Sequence, residues 1–140
     1  MYQMFPLLAI SLVVFAVLSL TGAANMGGLP WYEVVFIELP MVSGDKWKVT
    51  WGDLFLVASM GLLFIELLRS TKTGSESIMN HALSVVVFVV ALLLFIIVKG
   101  FGNSVFFIFM AMTFLDFMAG FIVTTVTARR DLAVADGLAK

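Results

Sequence analysis

Four stretches of this chain are each about as long and as apolar as the hydrocarbon core of a bilayer requires, and that narrows the folds open to it. A core of about 30 Å needs about 20 residues of helix. The stretches fall at about residues 4–23, 52–69, 80–98 and 104–127, and no charged side chain precedes Glu33. Inside lipid, every backbone N–H and C=O has to find a partner within its own segment, so single spans of this kind are helices. The expected fold is an all-α membrane protein, a four-transmembrane-helix antiparallel bundle forming one domain over residues 1–140. Its outer loop, 24–51, is expected as a short surface loop or β-hairpin. Composition points the same way: 62% of residues are hydrophobic and 12% charged, with a mean hydropathy of +1.13. Soluble domains carry about a quarter charged residues.

The connections carry matching punctuation. Thr50-Trp51-Gly52-Asp53 has capping-box spacing at the start of the second span, with Asp in place of the usual Glu. Thr73-Gly74-Ser75-Glu76 repeats that spacing before the third span, where Gly74 would equally well end the second. Gly100 and Gly102 interrupt the chain after the third span, and Asn103 suits the N-cap of the fourth. Beyond Arg129 the tail is polar enough to leave the membrane, as one or two further helical turns ending at Gly137. The first span has a rival reading as a signal peptide, with Gly22-Ala23-Ala24 resembling a cleavage site. An n-region without Lys or Arg and a long apolar run favour a retained helix.

Four spans put both termini on one side. Arg69, Lys72, Arg129, Arg130 and Lys140 lie there, against Lys46, Lys48 and Lys99 opposite, so the positive-inside rule expects cytoplasmic termini. The outer loop gathers Trp31, Tyr32, Trp47 and Trp51, rings that prefer the headgroup level and form a candidate outer interface. Lys46 to Trp51 alternates, with Trp47, Val49 and Trp51 on one face. Ser43-Gly44-Asp45-Lys46 would close a two-residue hairpin with Gly in the first central position. A hairpin on the outer membrane surface, an irregular loop anchored by aromatics and a partner-binding face are the three readings of this segment.

Ionisable residues inside the spans matter because charge in hydrocarbon is costly and ordinarily faces a partner or a cavity. Asp116 falls halfway along the fourth span, on a helical stripe with Thr113, Gly120, Thr124 and Thr127. That stripe should face the bundle, leaving Phe106, Phe107, Phe114 and Phe121 for lipid or neighbouring helices. Asp116 reads either as a proton or cation site with Ser59 or Ser84 nearby, or as a hydrogen-bonded carboxyl joining two helices. Glu66, Arg69 and His81 are expected as a separate cytoplasm-proximal cluster, with Arg69 near enough to pair with Glu66. Glu66 and Asp116 should differ in depth by roughly two helical turns, which leaves no paired carboxylates.

Several functions lack their parts. Without cysteine the chain offers no disulfide, thiolate nucleophile, iron–sulfur cluster or Cys-ligated zinc, and one histidine excludes bis-His haem. HExxH, GxSxG and Gly-rich phosphate loops are missing. A net charge of -1 without a basic run argues against nucleic acid. No cofactor or metal is expected; the expected partners are the lipid bilayer and other membrane subunits or a second copy.

The strings SGDKWKVTWGDLFL, LLFIELLRSTKTGSESIMNHALS and LDFMAGFIVTTVTARRD resemble a group of small four-helix inner-membrane proteins of proteobacteria that have no known activity. The resemblance covers roughly the last two-thirds of the chain and implies a fold and a bacterial inner-membrane location, and no activity. The leading expectation is a non-enzymatic accessory or assembly subunit of a larger membrane complex. The alternative is a small proton- or cation-linked transporter or channel component using Asp116. A membrane enzyme would need a partner chain to complete its site.

Overall fold

The computed structural model describes residues 5–22, 25–70 and 75–138. The triplet Gly22-Ala23-Ala24, the pair Thr73-Gly74, and Lys72 and Lys140 of the charge count fall wholly or partly outside them. The order of elements is α1 (Leu7–Thr21), a 3-10 turn (Trp31–Glu33), β1 (Val35–Pro40), β2 (Lys46–Thr50), α2 (Trp51–Ser70), α3 (Ser75–Ile97) and α4 (Ser104–Leu138). Three helices, α2 to α4, are long and apolar enough to cross a membrane. α1 is apolar but has 15 residues where the sequence suggested 20, a rise of about 22 Å. Pro6 fixes its start and Gly22, left-handed at φ 62°, ends it. α3 starts five residues earlier than expected, and α4 runs unbroken for 35 residues through the polar tail.

The caps form as the sequence suggests. Thr50 N–H donates to Asp53 Oδ2 (2.8 Å) while Asp53 N–H donates to Thr50 Oγ1 (3.2 Å), a reciprocal box at the head of α2. Asn103 Oδ1 accepts from Phe106 N–H (2.9 Å) at the head of α4. The two heads lie level, because Gly52 brings α2 against α4: a Cβ there would sit 2.9 Å from Val105 Cγ2 and 2.6 Å from the Tyr32 carbonyl oxygen. α2 and α4 therefore run side by side in the same direction. α1 opposes α2, with Leu8 at Glu66, Ser11 at Ser59 and Phe15 at Phe55.

The hairpin is present, but its turn is not the expected one. Gly44 N–H donates to Met41 C=O (3.0 Å) and Met41 N–H to Asp45 C=O (2.8 Å), which encloses three residues, Val42, Ser43 and Gly44. Gly44, at φ 91°, takes the left-handed last position, where a side chain would be strained. Ile37 then pairs with Val49 and Leu39 with Trp47 on one face, while Glu38 pairs with Lys48 and Pro40 with Lys46 on the other. A bulge at Phe36 precedes this register. Lys46 Nζ reaches Glu38 Oε1 at 3.5 Å across the charged face. On the apolar face only Val49 is buried; Ile37, Leu39 and Trp47 are open, Trp47 by 54%.

The core has two unlike halves. At the end near the hairpin, the Phe15 ring is a hub, with centroids of Trp31 at 5.2 Å, Phe55 at 5.3 Å, Phe101 at 5.6 Å and Phe106 at 4.7 Å. Phe106, assigned to lipid or to a neighbour from sequence, is fully buried here, whereas Phe107, Phe114 and Phe121 face outward. The other half is polar.

Candidate functional site

The polar half is built on α3, whose residues 80, 81 and 84 share one face at helical spacing. Asn80 Nδ2 donates to Glu66 Oε1 (3.2 Å), and the other carboxyl oxygen, Oε2, accepts from Leu8 N–H (3.3 Å). Leu8 lies in the first turn of α1, where N–H groups have no helical partner. Pro6 gives that helix no side-chain cap, and Glu66 from the facing helix supplies the acceptor. Glu66 is 1% exposed.

One turn along α3, Ser84 Oγ lies 3.2 Å from the Asn80 carbonyl oxygen and also hydrogen-bonds the Asp116 carboxyl. Glu66 and Asp116 are thus tied to α3 positions four residues apart, a rise of about 6 Å, and near enough for their charges to act on each other. This overturns the expected separation of two turns. Counted from the level heads of α2 and α4, Glu66 is 14 residues beyond Gly52 and Asp116 is 11 beyond Val105. That difference is about 4.5 Å, less than one turn.

His81 joins the same cluster rather than a separate one. Its imidazole lies over Gly120, where a Cβ would overlap Nδ1 and Cγ, and it feels the charge of Asp116 one turn back on α4. Arg69 is exposed and stands apart: among the described residues the ion pair formed is Lys46–Glu38, and the Glu66 oxygens are engaged by Leu8 and Asn80. Of the two serines named as neighbours of Asp116, Ser84 reaches it and Ser59 bonds Ser11 (3.0 Å) instead. Thr113 is buried on the same stripe, its hydroxyl donating back to the Met110 carbonyl (2.7 Å), while Thr124 and Thr127 are half-buried. Among the described residues no three His, Asp or Glu side chains converge as a metal site would need. Asn80, in sequence only the start of the third span, binds Glu66 with its side-chain amide and faces the Ser84 hydroxyl with its backbone carbonyl.

The four aromatic positions of the outer segment separate. Trp31 is 4% exposed, its indole N–H donating to Ser19 Oγ (3.0 Å), and so belongs to the core. Tyr32 stacks on Phe15 with centroids 6.0 Å apart, and burial, followed by the neighbouring Glu33 charge, raises its phenol above the usual 10.0. Trp47 and Trp51 stay open, Trp51 packing edge-on against the bulged Phe36. No protein-family model, curated protein or solved structure matches this chain.

Proposed function

We propose that the protein is a non-enzymatic, four-pass integral membrane protein of the bacterial inner membrane, with both termini cytoplasmic, serving as an accessory or assembly subunit of a larger complex. The observation behind it is the two-faced hairpin at the head of α2. Its apolar face, Ile37, Leu39 and Trp47, stands open, while the buried Glu66 carboxyl is bonded by α1 and α3 of the same chain. Open apolar surface rimmed by charge is characteristic of a contact surface. The resemblance to small inner-membrane proteins supports the location, and the distribution of Lys and Arg supports the orientation. The short α1 crosses with its N-terminus sunk in the bundle, where Glu66 takes the place of water.

Native purification in mild detergent tests the role. The chain is expected to migrate with a larger assembly, and Trp47→Ser together with Leu39→Ser to release it; a chain that always migrates alone refutes the reading. The chain has no cysteine, so Ser43→Cys and Ala135→Cys give clean topology probes. An impermeant maleimide should label position 43 from outside intact cells and leave position 135 unlabelled.

A second reading, a proton-linked transport component, is favoured by the burial of Glu66, His81 and Asp116, with Asp116 near each of the other two. Asp116→Asn should then abolish proton flux in proteoliposomes, and unchanged flux removes that role.

A further inference from the structure

Asn80 is bonded at one end of its side chain and open at the other. The residue is 6% exposed, and its amide nitrogen donates to Glu66 Oε1 (3.2 Å). The oxygen of the same planar amide, Oδ1, is buried and accepts from no donor among the described residues. A buried carbonyl left that way loses its hydration for nothing, and such groups ordinarily have a partner. Turning the amide over is no cure: Oδ1 would then face the Glu66 oxygen, acceptor to acceptor, and the nitrogen would be left over. Glu66 has the opposite surroundings. Its carboxyl is met by the N–H groups of Leu7 and Leu8 and by the Asn80 amide. Of these three partners only Asn80 also offers an acceptor, so a proton on Glu66 has one place to go. The carboxyl is 1% exposed, and Asp116, 4% exposed, is close enough for their charges to interact. Two ionised carboxylates so placed repel strongly in a medium of low dielectric, and such a pair keeps a proton.

We propose that Glu66 is a proton-binding site: its carboxyl holds a proton and donates it to Asn80 Oδ1 while accepting from the Asn80 amide nitrogen. Asp116 then carries the charge of the pair, with Ser84 and His81 beside it. Among the described residues, the groups around the site are the first-turn N–H groups of α1, Asn80 and His81 of α3 and Asp116 of α4, with Arg69 exposed on the last turn of α2. Loss of the proton breaks the Glu66 O–H bond, leaves the electron pair on the carboxylate and delivers the proton to solvent. Asn80 Oδ1 is then without a donor, and the acid–amide contact between α2 and α3 falls from two hydrogen bonds to one. The junction therefore has two states that differ by one proton. The site needs only this chain, so it stands apart from the subunit reading. It is also a resting place for a transported proton under the second reading, though it does not depend on transport.

Infrared spectroscopy of the full chain in lipid vesicles at neutral pH reads the proton directly. A protonated-carboxyl C=O band is expected in the wild type, lost in Glu66→Gln, retained in Asp116→Asn, and moved to higher frequency in Asn80→Val, where the amide is gone. Isotope labelling gives the same assignment without mutation: 13C in the glutamate side-chain carboxyl should shift the band, and 13C in the aspartate carboxyl should leave it in place. A wild type without the band, a band that follows aspartate labelling, or a band unmoved in a folded Asn80→Val protein overturns the proposal. So does a band that vanishes when sodium chloride replaces choline chloride at the same pH and ionic strength, since a bound cation and not a proton would then satisfy Asn80 Oδ1.

Discussion

Gly120→Ala is the most direct probe of how α3 and α4 fit. The added Cβ would overlap the His81 imidazole at Nδ1 and Cγ and lie 2.9 Å from His81 Cβ. Carbon atoms pack best at about 3.5–4.0 Å, so even with the imidazole rotated away the helices must open by roughly 0.5–1 Å. Forcing a methyl group into a packed contact of this kind costs about 1–3 kcal/mol. Equilibrium unfolding by SDS titration in mixed micelles, followed by far-UV circular dichroism, would measure it. The decisive version is a double-mutant cycle with His81→Ala, which removes the two worst overlaps and leaves only the Cβ contact. The penalty of Gly120→Ala should fall by at least half in that background, a coupling of at least about 0.5–1.5 kcal/mol. An equal penalty in both backgrounds refutes the imidazole-over-glycine packing.

Further predictions follow from the other half of the molecule. Thr50→Ala and Asp53→Ala should each destabilise α2 by about 1 kcal/mol. The double variant should lose less than the sum, because both single variants break the shared Thr50 Oγ1–Asp53 Oδ2 bond (3.0 Å); strict additivity in the same titration would contradict that bond. Phe15→Ala, emptying the aromatic hub, should cost about 3–5 kcal/mol, with Phe15→Leu recovering much of it. In a Tyr2→Phe background, phenolate absorbance should place the Tyr32 midpoint above 10.0, and Glu33→Gln should lower it only in part, since burial is the larger cause. Because the folded state favours the neutral phenol, its contribution to stability is full below 10.0 and lost as pH rises through the folded-state value.

The parts of this fold legible in sequence are those set by local chemistry. Apolar length marked α2 to α4, and the short-range pairs Thr50–Asp53 and Phe106–Asn103 formed as their spacing implied. The turn at Gly44 was ambiguous for a physical reason: a glycine suits the first position of a two-residue turn as well as the last of a three-residue one. Only the pairing of Met41 with Asp45 selects between them, and β1, reading VFIELP, has too little alternation to reveal it. Placing Asp116 at the middle of a fourth span that ends near residue 127 gives the wrong depth relative to Glu66. α4 continues to Leu138, so that end is no landmark, and the useful reference is the Gly52–Val105 contact at the other end. Arg69, one turn from Glu66, looked like its partner. α1 claimed that carboxyl first, through a backbone N–H that no side-chain pattern displays.

That unbroken α4 has a mechanical consequence. Its 35 residues rise about 52 Å, some 20 Å more than a bilayer core, and between Gly120 and Gly137 it contains neither glycine nor proline. Arg129 and Arg130 therefore ride on the same stiff shaft as Asp116, about 20 Å away. A twist applied to the projecting end reaches the α3 contact through one continuous helix, whose single glycine on that path, Gly120, lies under the His81 imidazole. The carboxyl at the centre of the bundle is, in effect, fitted with a handle.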